Sequence, residues 1–162
     1  MSDHIILGVI SDTHLHRSPV PLRVLQVMEG TDLILHAGDI LEMAVLEELE
    51  GIAPVIAVAG NMDHGDVMEA LPRKRVVEAA GRRIGLIHGS GAPQQMTSRL
   101  RGEFEEVDAI VFGHTHQAYN RDEGGIYFLN PGSPTDKMFA PYRSVGLLEL
   151  GEEIRGRIVM LE

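Results

Sequence analysis

Short apolar runs that each end in a polar cluster constrain the fold of this chain more than any other feature. Residues 5–10, 33–35 and 55–58 are continuous apolar runs of strand length, as expected for strands buried on both faces. The stretches 19–30 and 41–50 between them carry apolar residues at helical spacing. This alternation indicates right-handed crossovers and a mainly parallel sheet.

The second half of the chain is predicted to hold further strands. Residues 75–87 suit two strands joined by a tight glycine turn, and 109–112 and 125–129 suit two more. A helix is predicted over 93–106 and a final hairpin over 144–161. The two halves together predict a strand-rich sandwich with helices on its outside.

The composition indicates one soluble globular domain, residues 1–162, with 44% hydrophobic and 23% charged residues. The formal net charge of −10 disfavours general nucleic-acid binding, but bound cations would make an anionic substrate acceptable. The absence of cysteine excludes disulfides and thiolate chemistry. No apolar run approaches the roughly 20 residues of a membrane span, and residues 1–4 lack a basic leader. We therefore expect a cytoplasmic protein with no membrane partner.

Side chains that are competent to bind metals follow the ends of the predicted strands. Since the carboxyl ends of parallel strands form a ligand crevice, these side chains are predicted to converge on one edge of the sheet. The set is Asp12, His14, Asp39, Asn61, His88, His114 and His116.

Seven mixed nitrogen and oxygen ligands are too many for one tetrahedral zinc ion but suit two cations that share a carboxylate. Asp12 and His14 would share one side of an extended segment and bind one cation together. The same holds for His114 and His116, unless a turn sends them to different cations. Two cations about 3.5–4 Å apart can clamp an in-line phosphoryl displacement and deprotonate a bridging water.

Each motif taken alone also has a structural explanation. Gly38-Asp39 suits a turn, Asn61 a helix cap or turn, and His88 a buried core histidine. Their joint occurrence after five apolar runs favours the metal site.

The sequence resembles the calcineurin-like metallophosphoesterase superfamily, and most closely its small bacterial and archaeal phosphodiesterase branch, which is similar to the eukaryotic retromer scaffold subunit. The motifs that carry the resemblance occur in the superfamily's order and are Asp12-x-His14, Gly38-Asp39, Gly60-Asn61, His88 and Gly113-His114-Thr115-His116. The resemblance runs from Ile5 to the final hairpin. It implies an α/β fold, a four-layer α-β-β-α sandwich of two mixed sheets flanked by helices.

The resemblance also implies an enzyme, a dinuclear metal-dependent phosphodiesterase with a small phosphoester substrate and a metal-bridging hydroxide as nucleophile. It divides the ligands into a first set (Asp12, His14, His116), a second set (Asn61, His88, His114) and a bridging Asp39. The resemblance favours Mn²⁺ for the two divalent ions, although Ni²⁺, Fe²⁺ and Zn²⁺ accept the same ligands.

One position departs from the superfamily pattern. Met62 stands where many catalytic members carry a histidine that protonates the leaving group, and it cannot donate a proton. His64 is a weak substitute, with a solvent or supporting role as the alternative. The resemblance to the retromer scaffold subunit keeps a rival hypothesis open, a metal-retaining protein-interaction scaffold with little natural activity. A metallo-β-lactamase-type hydrolase is disfavoured because the chain has no His-x-His-x-Asp-His segment.

Several other residues are weaker candidates. His36 is expected to orient or pack rather than ligate. His16 and Arg17 are candidates to bind the substrate phosphate, and the alternative is that they lie in a solvated loop. Residues 130–133 suit either a pocket lining or a turn, and 73–75 suit a solvated basic loop. An exposed edge strand leaves a homodimer open.

Overall fold

The computed structural model describes residues 4–15 and 19–161, and these form two five-stranded sheets. The first sheet has the strand order β10-β9-β1-β2-β3, and the second has the order β4-β5-β6-β8-β7. The strands are β1 (Ile5–Ile10), β2 (Leu33–His36), β3 (Val55–Ala57), β4 (Lys74–Ala79), β5 (Arg82–Ile87), β6 (Ala109–Val111), β7 (Tyr119–Glu123), β8 (Ile126–Asn130), β9 (Ser144–Leu150) and β10 (Ile154–Met160). The helices are α1 (Leu22–Met28), α2 (Met43–Glu50), α3 (Gly65–Ala70) and α4 (Met96–Arg101).

Both sheets are mixed. In the first sheet β1, β2 and β3 run parallel, which confirms the parallel strands predicted for the first half, while β9 is antiparallel to β1 and to β10. In the second sheet β5, β6 and β8 run parallel, and β4 and β7 are antiparallel edge strands. Each sheet therefore presents three parallel carboxyl ends, and these ends position the candidate site.

Three clusters of buried apolar side chains define the layers. One cluster joins β1 and β2 of the first sheet to β5 and β6 of the second, with Leu7, Leu35, Leu86 and Val111 fully buried. A second cluster packs α1 and α2 on the outer face of the first sheet. A third packs α4 on the outer face of the second sheet. The predicted four-layer α-β-β-α sandwich is confirmed.

Several element bounds differ from the predictions. The helix predicted over 41–50 begins at Met43, because Leu41 adopts a left-handed φ of 76°. The helix predicted over 93–106 covers only Met96–Arg101, because Gln95 has a φ of 60° and Gly102 caps the end. The strand β7 and the helix α3 were not predicted, since β7 is mostly polar and α3 has only six residues. None of the described helices is long and apolar enough to cross a bilayer.

Candidate metal centre

The loops that carry the predicted ligands leave their strands in an unusual backbone conformation. Left-handed φ values, which non-glycine residues rarely adopt, occur at Asp12 (56°), His14 (45°), Asp39 (58°), His114 (73°) and His116 (61°). The prediction that Asp12 and His14 lie on an extended segment is therefore wrong, whereas His114 and His116 follow the alternative of a turn that the sequence left open. Such strain persists only where surrounding structure enforces it, and it concentrates at functional sites.

Two backbone hydrogen bonds enforce the turn after β1. The Asp12 N–H donates to the carbonyl oxygen of Gly38 at 2.9 Å, and the His14 N–H donates to that of Asp39 at 3.1 Å. These bonds tie the loop after β1 to the loop after β2. The local sequence alone favoured extension, and the neighbouring loop decides otherwise.

The seven residues converge from two sheets rather than from one edge, which corrects the sequence-based expectation. Asp12, His14, Asp39 and Asn61 follow strands of the first sheet, whereas His88, His114 and His116 follow strands of the second. The two groups meet where the His114 N–H donates to Asp12 Oδ2 at 3.1 Å. Gly113 permits this approach, since a Cβ there would lie 2.7 Å from the same carboxylate oxygen.

The two carboxylates lie at the middle of the cluster. Asp12 Oδ1 is 3.4 Å from His116 Nε2 and 3.7 Å from the Nε2 atoms of both His14 and His88. Asp39 Oδ2 is 3.3 Å from His14 Nε2 and 3.2 Å from His88 Nε2. Asp39 therefore faces one histidine from each sheet. The ligand atoms of Asp12, His14, Asp39 and His116 all lie within 4.8 Å of one another.

Asn61 and His114 form the remaining side of the cluster. The Asn61 Oδ1 atom lies 3.2 Å from His114 Nδ1, and His114 Nε2 lies 3.1 Å from the carbonyl oxygen of Gly91. If His114 carries its proton on Nε2 and donates it to the Gly91 carbonyl oxygen, the lone pair of His114 Nδ1 faces the amide oxygen of Asn61. Two acceptor atoms that face each other at this distance suit a shared cation.

Hydrogen bonds on the far side of two other rings orient them in the same way. His88 Nδ1 donates to the carbonyl oxygen of Ala37 at 2.8 Å, and His116 Nδ1 donates to Asp136 Oδ2 at 2.6 Å. With Nδ1 occupied in this way, Nε2 is the nitrogen of each ring that faces the cluster, an arrangement typical of metal-binding histidines.

Three atoms at the centre are buried without a hydrogen-bond partner among the described residues. These atoms are Asp12 Oδ1, His14 Nε2 and His88 Nε2. The imidazoles and carboxylates are close, yet they do not meet in hydrogen-bond geometry. Buried polar atoms of this kind normally have a partner, and nitrogen and oxygen donors of this type fit a divalent cation.

The cluster attracts positive charge. Burial would raise the pKa of Asp12, but contacts with His116 and His14 outweigh burial and hold this pKa well below its ordinary range. Contact with Asp12, opposed by burial and aided by Asp136, raises the pKa of His116 to about 9. A divalent cation would have to displace the His116 proton, so affinity for cations falls as the pH falls below that value.

Two carboxylates that support the centre were not predicted. Asp63, which is buried, accepts four backbone N–H groups, from Asp39 and Gly60 on Oδ2 and from Ile40 and Leu41 on Oδ1. It joins the loop that carries Asp39 to the loop that carries Asn61. Its position two residues after Asn61 is the sequence feature that could have identified Asp63 as part of the site.

Asp136, the second unpredicted carboxylate, contacts His116 from 20 residues further along the chain. Its other oxygen, Oδ1, accepts the N–H groups of Met138 and Phe139 at 2.8 and 3.0 Å. No local sequence pattern relates Asp136 to His116, because the two residues lie on separate loops, the first after β8 and the second after β6.

His36 lies behind the centre rather than in it. The Gly38 N–H donates to His36 Nδ1 at 3.1 Å, which leaves the ring proton on Nε2 for Thr13 Oγ1 at 3.2 Å. Burial lowers the pKa of His36 to about 3, so the ring stays neutral. These contacts fit the interpretation that His36 orients the loops.

The described members of the weaker candidate set make contacts outside the seven proposed ligands. Asn130 Nδ2 donates to the Gly113 carbonyl oxygen at 3.1 Å and to Thr115 Oγ1 at 3.0 Å, so it braces the loop that carries His114. The exposed His64 ring has Nδ1 3.3 Å from the carbonyl oxygen of Met62. Arg73 pairs with Glu103. The candidates His16 and Arg17 lie outside the described residues.

Comparisons with known proteins identify the family. The model of the calcineurin-like phosphoesterase superfamily domain matches residues 5–153. The chain belongs to the calcineurin-like phosphoesterase superfamily. Membership supports a hydrolase of the metallophosphoesterase type, with a group of aspartates and histidines that can hold metal.

Two archaeal relatives match most of the chain. A probable metallophosphoesterase of Methanothermobacter thermautotrophicus is 44% identical over 134 residues, which cover 80% of this chain and 77% of the relative. A probable metallophosphoesterase of Methanocaldococcus jannaschii is 36% identical over 162 residues, which cover 97% of this chain and 82% of the relative.

Solved structures share the fold over nearly the whole length. Wild-type Vps29 of Entamoeba histolytica, solved in complex with Zn²⁺, has a TM-score of 0.72 and 25% identity, with 98% of this chain and 100% of that chain covered. An archaeal phosphodiesterase has a TM-score of 0.74 at 22% identity, with 96% and 100% covered. The second likeness concerns the fold alone.

Proposed function

We propose that this superfamily member is a metal-dependent phosphodiesterase that uses two divalent cations. The observation that carries the proposal is the set of buried, unpartnered donor atoms that face one another between the two sheets, on Asp12, His14 and His88. An unsatisfied buried donor or acceptor costs free energy. A cation held among these atoms would remove that cost.

In this proposal the ligands divide into a first set (Asp12, His14, His116), a second set (Asn61, His88, His114) and a bridge (Asp39). Asp136 and the Ala37 carbonyl group hold two of the histidines with an unprotonated Nε2 inward. When bound, the cations would supply a hydroxide nucleophile near neutral pH and offset the charge of the phosphate. Manganese is our first choice, and Ni²⁺, Fe²⁺ and Zn²⁺ accept the same donors.

A test of the proposal uses protein purified without chelator. We expect about two divalent ions per chain by mass spectrometry of the metals, and turnover of bis(4-nitrophenyl) phosphate that EDTA abolishes and Mn²⁺ restores. Turnover that survives complete removal of metal would contradict the proposal, and so would metal-loaded protein that leaves this diester intact.

Leaving-group protonation distinguishes good substrates from poor ones. The Met62 N–H donates to Asp39 Oδ1 at 2.8 Å, but the side chain, which is 52% exposed, has no proton to donate. His64 is the weak candidate for that role. General acid catalysis contributes about 10²–10⁴-fold. We therefore propose efficient hydrolysis only where the leaving group needs little protonation, as nitrophenolate does.

The variant Met62→His should speed hydrolysis of alkyl diesters at least about tenfold and change the nitrophenyl rate much less. The exposed side chain leaves room for an imidazole beside the Asp39 loop. Steady-state kcat/KM on an alkyl diester and on bis(4-nitrophenyl) phosphate, for wild type and variant, gives the comparison. An equal change on both substrates would show that a missing acid does not limit this protein.

A metal-retaining protein-interaction scaffold with little natural activity is the second candidate function. Met62 at the usual acid position and the likeness to Vps29 favour it. The rate of diester hydrolysis distinguishes the two candidate functions, because a scaffold would bind metal without hydrolysing nitrophenyl or natural diesters. A cytoplasmic location, a homodimer and a single domain over residues 1–162 remain predictions.

A further inference from the structure

A cavity of about 360 Å³ opens beside the candidate centre. Asn61 and His88, two of the proposed ligands, form part of its wall, and the loops after β3 and β5 form its sides. We propose that this cavity binds one ester substituent of the phosphodiester, a mainly apolar ring system of nucleoside size. The inference rests on the proposed function, because that function places a phosphate beside Asn61 and His88.

Most of the wall surface is apolar, although Asn61, His88, Arg73 and Ser90 also contribute to the lining. Ala59 and Ile87 form buried parts of the wall, and Met68 of α3 forms a part that is 48% exposed. Ions and water gain nothing from such a lining, whereas a ring that covers it removes apolar surface from water. Methionine side chains adapt their shape and recur at surfaces that bind varied partners.

The volume fits one ring system. Small-molecule sites take about 300–1,000 Å³, and this cavity lies at the lower end of that range. One substituent therefore enters the cavity, and the other points toward solvent. A diester with at least one flat organic substituent matches this arrangement better than a diester of two small alkyl groups.

The charge at the rim does not oppose a neutral substituent. Arg73 lines the cavity and pairs through Nη2 with both carboxylate oxygens of Glu103, at 3.0 and 2.9 Å. Lys74 Nζ lies 3.9 Å from Glu103 Oε2 as well, so the three side chains together carry one net positive charge. A neutral nucleoside or aryl group needs no charged partner there, and a positive charge beside the cavity does not repel the phosphate of the diester.

A series of 4-nitrophenyl diesters tests the inference with a fixed leaving group. The second substituent is methyl, phenyl or thymidin-5′-yl. In Met68→Gln, kcat/KM should fall about fivefold or more on the phenyl and thymidinyl esters and stay within about twofold on the methyl ester, because one side chain of similar length loses its apolar character. Comparison with wild type cancels the differences in intrinsic reactivity among the esters.

Met160→Gln is the matched control, since Met160 is 57% exposed on β10 and lines no part of this cavity. It should leave all three rates unchanged. Ser90→Phe fills the cavity from its rim and should reproduce the loss on the two large esters. Equal loss on all three esters in Met68→Gln, or no loss on any, would overturn the inference.

Binding of thymidine to the metal-free protein gives a readout without turnover. With ¹³C-methyl-labelled methionine, the Met68 methyl signal should shift saturably with thymidine and should not shift with 2-deoxyribose, while the Met160 signal stays fixed. Turnover of the methyl ester with no shift at Met68 would overturn the cavity assignment alone. A shift at Met68 with no turnover of any diester would overturn the proposed function and leave the cavity as a binding site.

Discussion

Asp39→Asn is expected to lower kcat/KM on bis(4-nitrophenyl) phosphate by about 10³-fold or more, which corresponds to roughly 4 kcal/mol of lost transition-state stabilisation. Asp39 Oδ2 lies 3.3 Å from His14 Nε2 and 3.2 Å from His88 Nε2, so it faces both proposed ligand sets. An asparagine has nearly the same size but no charge. Its oxygen would also be drawn to the Met62 N–H, which now donates to Oδ1, and this would turn the NH₂ group toward the histidines.

Metal content separates loss of the centre from loss of the fold. We expect Asp39→Asn to retain at most about one cation per chain, with a circular dichroism spectrum like that of wild type. Asp32→Asn is the matched control, because that carboxylate accepts a backbone N–H from Ile6 outside the cluster. Full turnover in Asp39→Asn would contradict the proposal that Asp39 bridges the two cations. An equal loss of turnover in both variants would indicate a general effect of removing a carboxylate.

Asp63→Asn is expected to destabilise the protein by about 3 kcal/mol or more. Each Asp63 oxygen accepts two backbone N–H groups, at 2.8–3.0 Å. The amide NH₂ of asparagine would face two N–H donors in place of an acceptor, and hydrogen bonds to charged groups contribute about 1.5–3 kcal/mol each. Urea unfolding followed by circular dichroism gives the free energy of unfolding, with an unchanged m-value as the sign that two-state unfolding is retained.

Asp108→Asn provides the comparison for Asp63→Asn. The Asp108 carboxylate accepts one backbone N–H, from Arg83 at 2.8 Å, and it lies partly exposed. Its replacement should cost about 1 kcal/mol or less. If Asp63→Asn lowers the free energy of unfolding no more than Asp108→Asn does, Asp63 does not hold the two ligand loops together. Turnover of Asp63→Asn measured well below its unfolding midpoint should also fall, because Asp39 and Gly60 lose a shared anchor.

The parallel strands of the first sheet were predictable because their signal is local. Continuous apolar runs bounded by glycine and polar residues specify strands buried on both faces, and β1, β2 and β3 occur where those runs lie. The strand β7 gave no such signal. Its sequence, residues 119–123, is mostly polar, and it is a strand because its backbone pairs with β8 at the edge of the second sheet.

The ligand atoms of the seven candidate residues could also be predicted, since they follow from residue type and from the position after a strand. The positions of these atoms relative to one another could not be predicted from the sequence. Asp12 and His14 adopt left-handed backbone conformations because hydrogen bonds from a second loop hold them there. Asp136 reaches His116 across 20 residues of chain.

Apolar strands that end in aspartate, asparagine and histidine can be read from the amino-acid sequence alone, because hydrophobic periodicity and side-chain chemistry are properties of neighbouring residues. The meeting of these residues from two sheets, with the His114 N–H bonded to Asp12 over a separation of 102 residues, depends on how the sheets pack. The same packing decided which histidine nitrogens face inward and set an apolar cavity beside Asn61 and His88. Contacts between distant segments arise when two sheets bury their shared core, and no local pattern records them.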